Sequence, residues 1–197
     1  MELLLVRHAE VVGDARGRCY GRLDVPLSEE GHRHARALAE RLSGEDIAAF
    51  VSSPSMRALD TATPIAASRG VPVTKLDELC ELDFGEVEGL TFEEIATTWP
   101  ELYSAWMTAP AAVAFPGGEA YADLSERVLE AVSRLRAVHQ GRRVVAVTHA
   151  GVVRTVLAEV LEVPVAALFR VDIDPASVTR VEWRTSGPVV RGVNAIC

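Results

Sequence analysis

Apolar residues fall along this chain in short blocks of two periods. Leu3-Leu4-Leu5-Val6 and Val144-Val145-Ala146-Val147 are continuous aliphatic runs, the pattern of strands buried on both faces of a sheet. Residues 47–51 and 71–74 are further short stretches that read as strands. Between these blocks, apolar positions recur at helical spacing. Ser28 precedes Glu29 and Glu30, a helix start with favourable dipole charges, and Ala35, Leu38, Ala39 and Leu42 follow on one face. This helix is predicted to end near Ser43-Gly44. A second helix is predicted from Ser55 through Met56, Leu59 and Ala62, with Pro64 expected to kink or shorten it. Thr91 and Glu94 have capping-box spacing for a short helix reaching about Thr98. Residues 119–138 carry Leu124, Val128, Ala131, Val132, Leu135 and Val138, an amphipathic helix, and another is predicted over 152–161. Residues 99–118 hold Pro100, Pro110 and Pro116 and read as an irregular excursion with one short helix. Three β-rich stretches close the chain, at 169–173, 178–183 and 189–193. The alternation predicts an α/β fold, a three-layer α/β/α sandwich with a mainly parallel central sheet and an antiparallel edge.

The places where the apolar runs stop carry the chemistry. The first run ends at Arg7-His8, the second at Ser52-Ser53-Pro54 with Arg57 shortly after, and the fourth at Thr148-His149. In parallel sheets ligands bind at the carboxyl ends of strands, so these turns share one rim. An arginine in the first turn of a helix opposes the helix dipole, a placement that suits a bound anion. Residues 79–91 form an acidic loop in which Glu81, Asp83, Glu86 and Glu88 are candidate proton donors. Two guanidinium groups, two imidazoles and a carboxyl suit phosphoryl transfer without a metal. One imidazole attacks phosphorus, the cations offset equatorial charge, and the carboxyl protonates the leaving oxygen. No Walker-type loop, HExxH or clustered aspartates occur, so no metal and no cofactor are expected.

The 197 residues, 49% hydrophobic and 24% charged, suit one globular domain. A net charge of −8 argues against nucleic acid or an anionic membrane surface as partner, so an anionic substrate needs a local cluster of cations. No apolar run approaches the roughly 20 residues of a membrane span. No secretory signal pattern opens the chain, and the expected compartment is the cytoplasm. Cys19, Cys80 and Cys197 are widely spaced and read as free thiols. An edge among the last strands offers a surface for a homodimer.

Taken in order, these segments resemble the histidine phosphatase superfamily. Arg7-His8-Ala9-Glu10 is similar to its Arg-His-Gly motif, Ser52-Ser53-Pro54-Ser55-Met56-Arg57-Ala58 to its Ser-Ser-Pro-x-x-Arg-Ala segment, the loop 79–91 to the loop holding its acid, and Val147-Thr148-His149-Ala150-Gly151 to its second histidine motif. The resemblance covers nearly the whole chain. It implies a phosphoglycerate mutase-like fold, 1–197 as one domain, and a partial lid at about 85–118. It also implies His8 as the nucleophile, Glu81 as proton donor and then base, and Arg7, Arg57 and His149 as phosphate ligands. Tyr20-Gly21-Arg22-Leu23-Asp24-Val25-Pro26 resembles the α-ribazole phosphatase and broad-specificity branch. The implied function is therefore a metal-independent phosphomonoesterase of a small phosphorylated metabolite. The alternatives are mutase-type transfer or a weakly catalytic phosphate binder. Asp14, Tyr20, Gly21, Arg22 and Ala150 are candidate substrate contacts, and Trp106, Phe115 and Tyr121 are candidates for the leaving-group pocket. Two positions depart from the pattern. Ala9 stands where glycine is usual, adding a Cβ near the backbone. Asp14 stands where an asparagine commonly touches phosphate, and there a carboxylate repels the anion unless it turns away or pairs with Arg16, Arg18 or Arg22.

Overall fold

A computed structural model describes residues 1–15 and 17–196. Arg16, one expected partner of Asp14, and Cys197, one expected free thiol, lie outside the described residues. The strands are β1 (Glu2–Arg7), β2 (Ala49–Ser52), β3 (Val73–Lys75), β4 (Arg143–Thr148), β5 (Val178–Arg184) and β6 (Gly187–Ala195). The α-helices are α1 (Glu29–Leu42), α2 (Met56–Ala67), α3 (Phe92–Thr98), α4 (Pro100–Thr108), α5 (Tyr121–Val138) and α6 (Ala150–Leu161).

The sheet order is β3-β2-β4-β1-β5-β6. Strand β1 lies inside it, parallel to β4 with Leu3 opposite Val144 and Val6 opposite Val147, and antiparallel to β5. Strands β4, β2 and β3 continue in parallel. The β5–β6 hairpin supplies the antiparallel edge. Period-two alternation then splits each aliphatic run between two cores. Leu4, Val6, Val145 and Val147 pack with Leu38, Leu42, Ala58, Ala62 and Ile65 of α1 and α2. Leu3, Leu5, Val144 and Ala146 pack with Leu124, Val128, Val152 and Val156 of α5 and α6. A continuous aliphatic run is required because both faces are covered, giving the expected three layers. Removing Leu3 to Val6 from water contributes roughly 1.5–3 kcal/mol per side chain before ordering entropy is charged.

The helix signals translate into bonds. Ser28 Oγ accepts the Gly31 N–H at 2.9 Å, and Thr91 and Glu94 form the reciprocal capping box of α3. Two expectations are corrected. Helix α2 runs through Pro64 to Ala67: packing of Ala58, Ala62 and Ile65 outweighs one absent backbone bond. The excursion holds the one short helix expected of it, α4, followed by a 3-10 turn at Pro110–Ala112. Residues 169–173 are not a strand. A 3-10 segment, Val165–Arg170, occupies the start of that stretch and buries Leu168, because a short apolar run reads alike for strand and buried turn. Among the described residues no helix is long and apolar enough to cross a membrane.

Candidate active site

The β2-β4-β1 arrangement places three strand ends side by side. The His8 N–H donates to Thr148 O at 2.8 Å, and the Ser53 N–H donates to Val147 O at 3.0 Å. Arg7-His8, Ser52-Ser53 and Thr148-His149 therefore meet on one rim. The His8 and His149 rings are both buried and lie edge to face, with centroids 5.2 Å apart. His8 Nδ1 sits 2.8 Å from Ala9 O. A carbonyl only accepts, so Nδ1 carries the proton and Nε2 keeps a lone pair. Burial, reinforced by the Arg57 and Arg7 charges, holds the His8 pKa well below its usual 6.5. Burial and then Arg57, His8 and Arg7 do the same for His149, whose Nε2 meets Ser53 Oγ at 2.9 Å.

Arg57, in the first turn of α2, is fully buried. It donates to Leu23 O at 3.0 Å and Gly21 O at 2.6 Å, and lies over the Tyr20 ring at 5.1 Å. Arg7 reaches Ile173 O. Burial lowers both guanidinium pKa values, opposed chiefly by Tyr20 and Glu81 for Arg7 and by Glu81 and Tyr20 for Arg57, and both remain cations. Arg7 Nε, Arg57 Nε and His149 Nδ1 are buried and have no hydrogen-bond partner in the protein. Buried polar atoms are rarely left so, and these three belong to side chains whose charges or ring lie close to His8, an arrangement suited to an anion.

The acid loop is strapped to this rim. Glu81 accepts the Gly151 N–H at 3.1 Å through one oxygen and its neighbour Leu82 N–H at 3.0 Å through the other. Arg127 of α5 spans the loop, donating to the carbonyls of Glu78, Cys80 and Glu81 at 2.8, 2.7 and 2.9 Å. It also makes a forked pair with the Glu119 carboxylate at 2.9 and 2.8 Å. Burial pushes the Glu119 pKa up, but the Arg127 hydrogen bond, the Asp83 N–H and the Arg127 and Arg22 charges leave it below the usual carboxylate range. The rival acids are engaged elsewhere or exposed. Glu88 accepts the N–H groups of Arg22 at 2.7 Å, of Leu23, and of Phe84 at 3.2 Å. Asp83 accepts the Gly85 N–H, and Glu86 is exposed.

Two cavities open beside this rim. One of about 260 Å³ is lined by Gly21, Arg22, Asp24, Ser53, Ser55 and His149, among others. The other, of about 180 Å³, is lined by Glu81, Leu82, Phe84, Trp106, Tyr121 and Arg154, among others. Tyr20, Gly21 and Arg22 thus gather near Arg57, while Phe115 backs the Trp106 ring at 5.1 Å. Ala150 starts α6 and packs against the core beneath the rim. Asp14 is not brought in. It is exposed on the turn Gly13–Ala15 and lines neither cavity. Arg18 is committed to Gly89 O and Glu94, and Arg22 to Glu119, so neither pairs with it. Ala9 buries its methyl among Leu27, Leu38 and Ala58, and its N–H donates to Thr61 Oγ1 at 2.9 Å, so the added Cβ joins the core. Arg127, Glu119, Thr61 and the Ser53 hydroxyl are site residues to which sequence reasoning gave no role. Only Ser53 stood inside a quoted motif. Among the described residues no three His, Cys, Asp or Glu side chains gather as a metal ion requires.

The fold and rim together define an α/β enzyme class that handles a phosphoryl group. Residues 3–196 match the model of the histidine phosphatase superfamily (branch 1). The chain is 34% identical over 197 residues to phosphoserine phosphatase 1 of Hydrogenobacter thermophilus, covering 100% of this chain and 93% of that one. It is 37% identical over 164 residues to a metal-independent phosphoserine phosphatase of Arabidopsis thaliana, covering 82% of this chain and 69% of the relative. The crystal structure of the alpha-ribazole phosphatase from Shigella flexneri superposes with a TM-score of 0.90 at 26% identity, covering 100% of this chain and 98% of that one. The chain belongs to the histidine phosphatase superfamily and is a phosphoric monoester hydrolase.

Proposed function

We propose that the protein hydrolyses a small phosphorylated metabolite, without a metal, through a phosphohistidine on His8. The observation that carries this reading is the set of buried, unpartnered nitrogens of Arg7, Arg57 and His149 around a neutral imidazole. His8 Nε2 attacks phosphorus as the ester P–O bond breaks, and Glu81 gives its proton to the departing alkoxide. The guanidinium groups and His149 meet the charge on the equatorial oxygens. Water then gives a proton to the Glu81 carboxylate and attacks phosphorus, forming a P–O bond as the P–N bond breaks, which releases phosphate and restores His8. The reading takes 1–197 as one catalytic domain in the cytoplasm, with 85–118 as a partial lid. The relatives' names leave two small leaving groups in view, that of phosphoserine and that of α-ribazole phosphate. The test is hydrolysis of p-nitrophenyl phosphate with chelator present, for wild type and His8→Ala. The expected result is a chelator-resistant rate that the substitution lowers on the order of 10³-fold or more. An acid-labile phosphoryl label should appear on wild type only. A rate that survives His8→Ala would refute the mechanism.

A further inference from the structure

We propose that the cavity beside Glu81 is a carboxylate-accepting subsite for the leaving group, anchored by Arg154, so that the substrate is the phosphate ester of a small hydroxy acid or hydroxy amino acid. This rests on reading Glu81 as proton donor to the leaving oxygen, since Glu81 forms one wall of the cavity. The leaving group must then emerge into that space.

The other walls are apolar and rigid. Phe84 and Trp106 face the cavity with centroids 5.6 Å apart, and each packs on Phe115, at 4.9 and 5.1 Å. Arg154 stands out against them. It is the one charged residue among positions 150–158 of α6, one turn beyond Gly151, whose N–H holds Glu81. Its guanidinium lies over the Phe169 ring at 5.2 Å, and its Nε and Nη2 donate to Leu168 O at 3.1 Å and Val171 O at 3.3 Å. These contacts fix the plane of the fork. Among the described residues no carboxylate lies within ion-pair distance of it, whereas Arg22 and Arg127 both end on Glu119. A stiffened guanidinium without a counter-ion, bordering a cavity next to a reacting centre, is a carboxylate site.

Size and charge narrow the class further. At about 180 Å³ the cavity lies below the roughly 300–1,000 Å³ that holds drug-sized ligands, so a few-carbon acid fits and a nucleoside does not. A second phosphate, as a dianion, would call for more than the single cation that Arg154 supplies to this cavity, whereas a carboxylate needs one. The neighbouring cavity beside His149 sets the carboxylates of Asp24 and Asp77 against Arg22, which directs an anionic leaving group to the Arg154 side.

The test uses matched substrates differing by one carboxylate: O-phosphoserine against O-phosphoethanolamine, and 3-phosphoglycerate against glycerol 3-phosphate. In wild type the kcat/KM preference for the acid is expected to be about 10- to 100-fold, the worth of a charge-assisted fork. Arg154→Met should bring the ratio close to one, mainly through KM, and Arg154→Lys should restore part of it. An arginine that merely braced 165–171 would lower both members together and leave the ratio standing, which would overturn the assignment. So would equal rates on the paired esters in wild type. Calorimetric binding of O-phosphoserine and O-phosphoethanolamine to His8→Ala, with and without Arg154→Met, reads the subsite without turnover. Arg154-dependent selectivity there, with no hydrolysis of any ester by wild type, would sink the catalytic reading and keep the subsite. Hydrolysis of p-nitrophenyl phosphate with no selectivity in either assay would remove the subsite alone.

Discussion

His8 and His149 are buried imidazoles whose folded pKa values lie well below 6.5, through burial first and the neighbouring arginines second. The unfolded chain takes up protons at these positions below about pH 6.5 and the folded chain does not, so stability is held above that pH and lost as pH falls. Lowering the pH from 7.5 to 5.5 should therefore destabilise the protein, and phosphate-free urea unfolding of His149→Gln should show a smaller loss over the same range. Two glycines separate stability from catalysis. A Cβ on Gly151 would stand 2.2 Å from Glu81 Oε1, the movable end of a side chain. Gly151→Ala is therefore expected to change stability by less than about 1 kcal/mol while lowering kcat about 10- to 100-fold by displacing the acid. A Cβ on Gly21 would stand 1.8 Å from Leu82 O, which is backbone. Gly21→Ala should destabilise by 2 kcal/mol or more on denaturant unfolding, since neither loop can yield. At this scale the sequence was informative where the rim is built from contiguous motifs, as for Arg7-His8 and Thr148-His149, which end paired strands. It was silent on Thr61, whose bond to Ala9 N–H joins positions 52 apart.

The strap between α5 and the acid loop belongs to the scale of elements. Arg127 commits its guanidinium to three carbonyls and one carboxylate, all on the far side of a long sequence gap or the helix start. Removing it strands half-buried Glu119 and frees the backbone that carries Glu81. Arg127→Met is expected to lose about 3 kcal/mol in denaturant unfolding, and to lower kcat more than KM rises. Arg127→Lys, a point charge without a fork, should recover little of either. Nothing in local periodicity announces such a strap, because an arginine on the exposed stripe of an amphipathic helix looks like any solvated charge. The same limit explains residues 169–173, which read as a strand by composition and pack as a turn because Arg154 and Tyr121 meet Phe169.

Across the whole molecule, a chain of net charge −8 gathers the buried Arg57 guanidinium and the half-buried Arg7 guanidinium at one sheet rim. An anion bound there is bound by the folded state alone. Inorganic phosphate at a hundred times its Kd should raise unfolding free energy by about 2.7 kcal/mol, and Arg57→Met should abolish that gain in a thermal-shift titration. Period-two and helical apolar patterns determined the three layers and the parallel core, since each strand and helix must bury the face that its own residues define. The same patterns put Arg7, His8, Arg57 and His149 at element ends, because apolar runs stop where the sheet meets solvent. Only the tertiary structure decided that Ala9 points into the core, that Asp14 stays outside, and that Arg127 and Arg154 serve the acid loop and its cavity. Those outcomes depend on which distant carbonyl, carboxylate or ring a side chain meets, a choice made by packing between elements and carried by no local pattern.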